Sequence, residues 1–298
     1  MSGMLSELQY LRMHGCGNDY VFLDCFRNRA PEDPAALSRF VSDRHRAVGS
    51  DGLVLMLPSD VPGAVARMRM FNADGSEGSL CGNALRCMAM WLHQSGRAEA
   101  LFQIVMAERL IDVQIVESDA DWRRAVVRID VGRPAVLSTD PGVRCCVREQ
   151  TLADVQVPGL VGSPLHVSLG NPHTVFFVQS IPAVPFELLG PRIERHAAFP
   201  DRTNVEFVEI SGLSAANAAT VRVWERGSGE TLACGSGACA VAVAAVAAGH
   251  LHSRLPISVQ MTGGLLRVLM SEDLELQLEG MAEECCRGTV LWPRHTAD

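Results

Sequence analysis

The chain has 298 residues, 48% of them hydrophobic and 20% charged, which leaves length for two domains with buried cores and excludes disorder and collagen-like structure. A formal net charge of -8 with no basic cluster excludes a dedicated nucleic-acid binder. No apolar run reaches the roughly 18 residues of a membrane span, and MSGMLSELQYLRMHG has no basic stretch followed by an apolar one. The expectation is a soluble cytoplasmic protein with a small-molecule partner, no nucleic acid and no membrane. All 26 basic residues are arginine. Without lysine there is no internal Schiff base, no pyridoxal phosphate chemistry and no P-loop.

In chain order, strand-like runs are expected at Tyr20–Cys25, Leu53–Leu57, Val65–Phe71, Leu101–Met106 and Val126–Val131, with an early helix over Asp33–Asp43 and a longer one after Cys81. The turn-rich stretch from Gly132 to Val157 reads as a linker. Beyond it, strands are expected at Thr174–Val178, Val205–Ile210, Thr220–Trp224, Pro256–Gln260 and Leu265–Met270, with helices over Pro185–Arg195 and after Cys234.

The two halves align at an offset of 153 residues, the separation of Cys81 from Cys234. Cys81-Gly82 falls on Cys234-Gly235, Gly17-Asn18 on Gly170-Asn171, Glu77 on Glu230, and Asn83 on Ser236. Leu85, Met88, Ala89 and Leu92 fall on Ala238, Val241, Ala242 and Ala245, both sets having the spacing of a buried helix face. Gly96 and Gly249 also coincide, where left-handed caps would end those helices. The fold class is therefore α+β: two domains of like topology related by a pseudo-twofold, each a curled mixed sheet around a long apolar helix. The halves are residues 1–132 and 133–280.

Ten cysteines without a secretion signal or a C-x-x-C read as free thiols. Cys87, Cys239 and the adjacent pairs Cys145-Cys146 and Cys285-Cys286 are assigned to ordinary packing. Cys81 and Cys234 differ because the repeat sets them opposite one another, each before a helix whose N–H groups and positive end favour thiolate and can hold a carboxylate. Two such thiols suit inversion at an α-carbon: one removes the proton as thiolate and the other delivers one from the opposite face. Asn18, Asn72, Asn83, His173, Asn204, Glu225 and Arg226 lie in neighbouring turns, and Arg226 in ERGSGE calls for a second anionic group on the ligand.

The segments MHGCGNDYVFLD, FNADGSEGSLCGNALRC, GNPHTVFFV, DRTNVEFVEI and RVWERGSGETLACGSGACA resemble the diaminopimelate epimerase family, whose cofactor-independent enzymes interconvert LL- and meso-diaminopimelate for lysine and peptidoglycan synthesis. The resemblance implies an isomerase with Cys81 and Cys234 as the proton-exchanging pair, His173 and Glu225 tuning the thiols, and neither cofactor nor metal. It also implies Asn18, Asn72, Gly82, Asn83, Asn171, Asn204, Glu225, Arg226, Gly235 and Ser236 as substrate ligands. A C-terminal strand over residues 281–298 would complete the first half, and a homodimer is compatible with this reading. The chain departs from the family pattern at Ala84, where a glycine is usual, at Cys16, and in QIVMAERLID after Leu101. Two alternatives stand beside it: a racemase of another polar amino acid such as histidine, and a thiol-based metal or redox-binding protein.

Overall fold

The computed structural model describes residues 5–78, 81–119, 121, 123–135, 147–150, 152–210 and 217–293. The pair Cys145-Cys146 and part of the expected linker lie outside them. The fold is built of mixed, barrel-like sheets with few helices. The chain divides into two units, Met1–Ile129 with Gly280–Asp298, and Asp130–Glu279.

The first unit runs β1 (Leu5–Gly15), β2 (Asn18–Asp24), α1 (Pro34–Ser42), β3 (Gly52–Pro58), β4 (Ala64–Asn72), β5 (Glu77–Gly78), α2 (Gly82–Gln94), β6 (Leu101–Met106), β7 (Arg109–Ser118) and β8 (Arg124–Gly132). β1 and β2 form a hairpin whose turn residues Cys16 and Gly17 have φ of 51° and 85°, as a two-residue turn matching the twist of its strands requires. The α1 helix begins where the Asp33 carboxylate accepts from Ala36 N at 2.9 Å and Pro34 supplies a preset φ. Leu37 and Val41 of α1 pack on Val21, Leu23, Leu53, Leu55 and Phe71. The intervening Phe22, Val54 and Met56, on the opposite face of these strands, are also fully buried, so β2 and β3 read as continuous apolar runs rather than alternating ones.

In the second unit a short β9 (Val147–Glu149) comes first, and the order then repeats from β10 (Leu165–Ser168) through β11 (Pro172–Phe177), α3 (Phe186–Glu194), β12 (Asn204–Ile210), β13 (Ala218–Glu225), β14 (Gly229–Thr231), α4 (Gly235–Ala247), β15 (Ile257–Met261) and β16 (Gly264–Met270). The pairings repeat too. β2–β3 and β4–β6 are parallel, and β1–β2, β3–β4, β4–β5 and β6–β7 antiparallel. β11–β12 and β13–β15 are parallel, and β10–β11, β12–β13, β13–β14 and β15–β16 antiparallel. A core of Phe176, Phe186, Leu189, Ile193, Val205 and Phe207 lies under α3. α4 has no polar face from Gly237 to Ala245, which marks a core helix.

Both α2 and α4 end in left-handed glycines, Gly96 at φ 70° and Gly249 at φ 74°. Arg97 N then donates to Leu92 O at 2.9 Å and His250 N to Ala245 O at 2.8 Å, closing each last turn. The final strand, β17 (Leu276–Pro293), starts in the second unit and continues in the first, where it pairs antiparallel with β1. A register shift between Arg12 and Met13 leaves Cys285 of β17 without an opposite residue, and Cys285 and Cys286 are exposed. The expectation of ordinary packing for Cys285-Cys286 is therefore corrected: a bulge aims residues off the regular alternation.

Candidate active site

Cys81 is the N-cap residue of α2 and Cys234 that of α4. Each sulfur turns back over the helix it precedes. Ala84 N donates to Cys81 Sγ at 3.5 Å, and Gly237 N donates to Cys234 Sγ at 3.3 Å. A thiol thus satisfies one of the N–H groups that a helix start leaves unpaired, and sits on the positive end of the backbone dipoles.

In the first unit, the Tyr20 hydroxyl lies 3.2 Å from Cys81 Sγ. Asn83, in the first turn of α2, accepts from Arg86 Nη2 at 2.7 Å through Oδ1. Since a guanidinium only donates, this contact turns the Asn83 amide nitrogen the other way. Arg86 is fully buried, and its Nε and Nη1 have no partner among the described residues. Asn18 opens β2 after the Cys16-Gly17 turn, and Asn72 closes β4, donating from Nδ2 to Ser76 Oγ at 2.9 Å.

In the second unit a chain of polar contacts leads away from the sulfur. Cys234 Sγ lies 3.5 Å from Ser236 Oγ, which accepts from Asn171 Nδ2 at 3.2 Å. Asn171 Oδ1 accepts from His173 Nε2 at 3.1 Å, and His173 Nδ1 lies 2.6 Å from Glu206 Oε1. With Nε2 donating to Asn171, a proton must also lie between Nδ1 and Glu206, carried by one partner or the other. Glu225, at the end of β13, accepts from the Thr231 hydroxyl. Asn204 ties two turns together: its Nδ2 donates to Pro172 O at 2.9 Å and its Oδ1 accepts from Arg226 N at 2.8 Å. The exposed Arg226 side chain donates from Nη1 to Asp201 O at 3.0 Å.

A model of the diaminopimelate epimerase family matches residues 10–137 and 165–283. The chain belongs to the diaminopimelate epimerase family. It is 41% identical over 283 residues to the diaminopimelate epimerase of Pelotomaculum thermopropionicum, covering 94% of this chain and 98% of that one. It is 38% identical over 285 residues to that of Methanococcus maripaludis, covering 95% and 99%. Among solved structures, a PhzF-family phenazine biosynthesis protein of Bacillus anthracis matches at TM-score 0.69 and 15% identity over 96% of this chain and all of that one. A hydroxyproline epimerase of Agrobacterium vitis matches at TM-score 0.62 and 13% identity over 97% and 93%. At these identities the structural matches speak for the fold.

One electrostatic expectation is corrected within this family frame. The helix N-terminus alone would favour thiolate at both cysteines, yet the Cys234 thiol is pushed well above its ordinary range. Burial is the larger cause, and the carboxylates of Glu225 and Glu206 add to it, outweighing the hydrogen bonds from Ser236 and Gly237. Burial likewise raises the carboxyl groups of Glu206 and Glu225. The surroundings of Cys234 are therefore rich in acids.

Sequence reasoning passed over Glu206, Tyr20 and Arg86. Glu206 sits in NVEFVEI, where one charge between apolar residues reads as a solvent-facing position, whereas β12 is buried on both faces around it. Tyr20 was findable: it stands 153 residues before His173.

Proposed function

We propose that this protein epimerises LL- and meso-diaminopimelate by a two-base exchange between Cys81 and Cys234, without cofactor or metal. The observation that carries this reading is that each of the two thiols caps the N-terminus of a helix, Cys81 through Ala84 N and Cys234 through Gly237 N.

Removing an α-proton puts negative charge into the adjoining carboxylate, and oriented N–H groups at a helix N-terminus stabilise such charge in the transition state. Gly82, Asn83, Gly235 and Ser236 would hold that carboxylate, since the next N–H in each helix is taken by sulfur. One thiolate accepts the proton, the electron pair is held on the carbon and its carboxylate, and the other thiol returns a proton to the opposite face. The enzyme is then left with the two sulfurs in exchanged protonation states. His173 and Glu225 act on Cys234: the Glu225 carboxylate disfavours its thiolate, and His173 holds Glu206 at 2.6 Å below the same helix start.

Asn18, Asn72, Asn171, Asn204 and Arg226 are assigned to the rest of the substrate. An arginine has five N–H donors, of which Arg226 commits Nη1 to Asp201, and a distal carboxylate is a fitting partner for the others. The test is α-proton loss followed by NMR in heavy water, with LL-diaminopimelate and histidine side by side. Diaminopimelate is expected to turn over at least about tenfold more efficiently, a difference of about 1.4 kcal/mol in the transition state, and Arg226→Met should erase the preference. Faster exchange of histidine overturns the substrate assignment.

A further inference from the structure

We propose that the Tyr20 hydroxyl is a catalytic hydrogen-bond donor that holds Cys81 as the thiolate base of the resting enzyme, while Cys234 rests as the thiol. The proposal builds on the two-thiol reading above and assigns each sulfur its starting state.

The phenol is rigidly presented. Tyr20 lies on β2 opposite Met13 of β1, is 6% exposed, and is held edge-on by Phe22 with ring centroids 6.4 Å apart. In the neutral state the Cys81 thiol donates to the Tyr20 oxygen at 3.2 Å, and Ala84 N reaches the same sulfur at 3.5 Å. A thiolate only accepts, so ionising Cys81 reverses this contact: the phenol turns its hydrogen to sulfur, giving two donors to one anion. Hydrogen bonds to a charged group are worth about 1.5–3 kcal/mol, and they favour the charged form.

At the position in the second unit that matches Tyr20, His173 is turned to Asn171 and Glu206. Glu206 Oε1 and Cys234 Sγ both lie against Gly237, 3.0 and 3.3 Å from where a Cβ would stand, and the carboxylates of Glu225 and Glu206 disfavour a thiolate there. Cys81 has a backbone N–H and a phenol able to donate, whereas Cys234 has acids beside it, so Cys81 is the sulfur expected to ionise first and Cys234 the one expected to keep its proton. The other ionisable groups around the start of α2 do not reverse this. Asp19 of β2 is engaged by Arg12 at 2.5 Å and by Arg44 at 2.7 Å. The Arg86 guanidinium, bonded to Asn83, adds positive charge, and burial pushes the thiols of Cys16 and Cys87 up, away from the charged form.

The experiment is alkylation of the free protein by iodoacetamide as a function of pH, with peptide mass spectrometry resolving Cys81 from Cys234. Only thiolate reacts, so the midpoint of each curve reports its charge state, whereas accessibility scales the rate without moving the midpoint. In the wild type the Cys81 midpoint is expected below that of Cys234. Tyr20→Phe keeps the ring and should raise the Cys81 midpoint by about one pH unit, a tenfold loss of thiolate below it, and shift the acidic limb of the kcat/KM profile the same way. A Cys234 midpoint below that of Cys81 in the wild type, or an unmoved Cys81 midpoint in Tyr20→Phe, overturns the proposal. Because alkylation needs no substrate, failure of the diaminopimelate assignment would show separately, in the NMR assay.

Discussion

The N-termini of α2 and α4 share one backbone plan and carry opposite chemistry. Both begin at a cysteine whose sulfur accepts from the N–H three residues on, and both follow the same sequence of strand pairings. The side chains that fill the plan differ. Tyr20 is answered by His173, Asn72 by Glu225 and Ala84 by Gly237 at the repeat offset. Val54 of β3 lies opposite Phe22 and Met70, as Glu206 of β12 lies opposite Val175 and Val223. A repeated backbone thus supplies two equal sets of N–H donors, and substitutions at four positions decide which sulfur sits among acids. For the proposed exchange, which begins with one thiolate and one thiol, that inequality is useful: two identical sites would leave the proton undecided.

The strongest way to break this comparison is to delete each sulfur. Cys81→Ala and Cys234→Ala should each reduce interconversion at least about a thousandfold, within the range that a positioned acid or base contributes, when product formation is followed by NMR. Cys87→Ala and Cys239→Ala, in the fully buried turns of the same helices, should keep most turnover and cost about 1–2 kcal/mol for the small cavity. Near wild-type interconversion by Cys81→Ala would refute the two-base reading.

A smaller effect distinguishes the two helix starts by their third residues. A Cβ on Gly237 would lie 3.0 Å from Glu206 Oε1 and 3.3 Å from Cys234 Sγ, whereas Ala84 carries its methyl fully buried beside Cys81. Gly237→Ala gains helix propensity of about 1 kcal/mol but displaces the carboxylate and sulfur. Turnover should fall about tenfold with little change in the unfolding midpoint. Ala84→Gly should do the reverse, losing about 0.5–1 kcal/mol of stability and less than about twofold in rate. Equal rate losses in the two variants would mean that Glu206 does not set this difference.

The same asymmetry explains what was legible in the sequence. The helices after Cys81 and Cys234, their glycine stops and the strands of β2–β4 and β11–β13 follow from apolar spacing and turn residues, which the repeat then cross-checks. β1 and β7 were passed over although Ile111, Val113 and Ile115 alternate with less buried neighbours, and β5 and β14, with two and three residues, are too short to show a period. The acid beneath α4 was not legible, because burial of Glu206 depends on α4 and β12 meeting across many residues. The helix-end effect on the thiols was legible only as a local term; burial, the larger one at Cys234, is a property of the packed unit.

The smallest effect lies at the surface, in an ion pair that both units carry at matching positions. Arg69 makes a two-pronged contact with Glu77 at 2.7 and 2.9 Å and stands over the Phe71 ring at 5.0 Å. Arg222 contacts Glu230 at 2.8 Å and Glu187 at 3.2 Å, and stands over the Phe186 ring at 3.9 Å. Exposed pairs contribute about 0.2–1 kcal/mol, and a guanidinium on a ring adds about 0.5–1 kcal/mol at exposed sites. Arg222 is the less exposed of the two, at 29% against 42%, and has the closer ring and an additional carboxylate. Arg222→Met should therefore cost about 1 kcal/mol and Arg69→Met about half as much, read from urea midpoints at equal m-values. Both costs should shrink in 0.5 M salt, where the Debye length is only about 4 Å, but the ring contact should preserve the order. A larger cost for Arg69→Met would show that the two-pronged geometry outweighs the ring and the third charge, and that at the surface, unlike at the thiols, the first unit is the more specialised half.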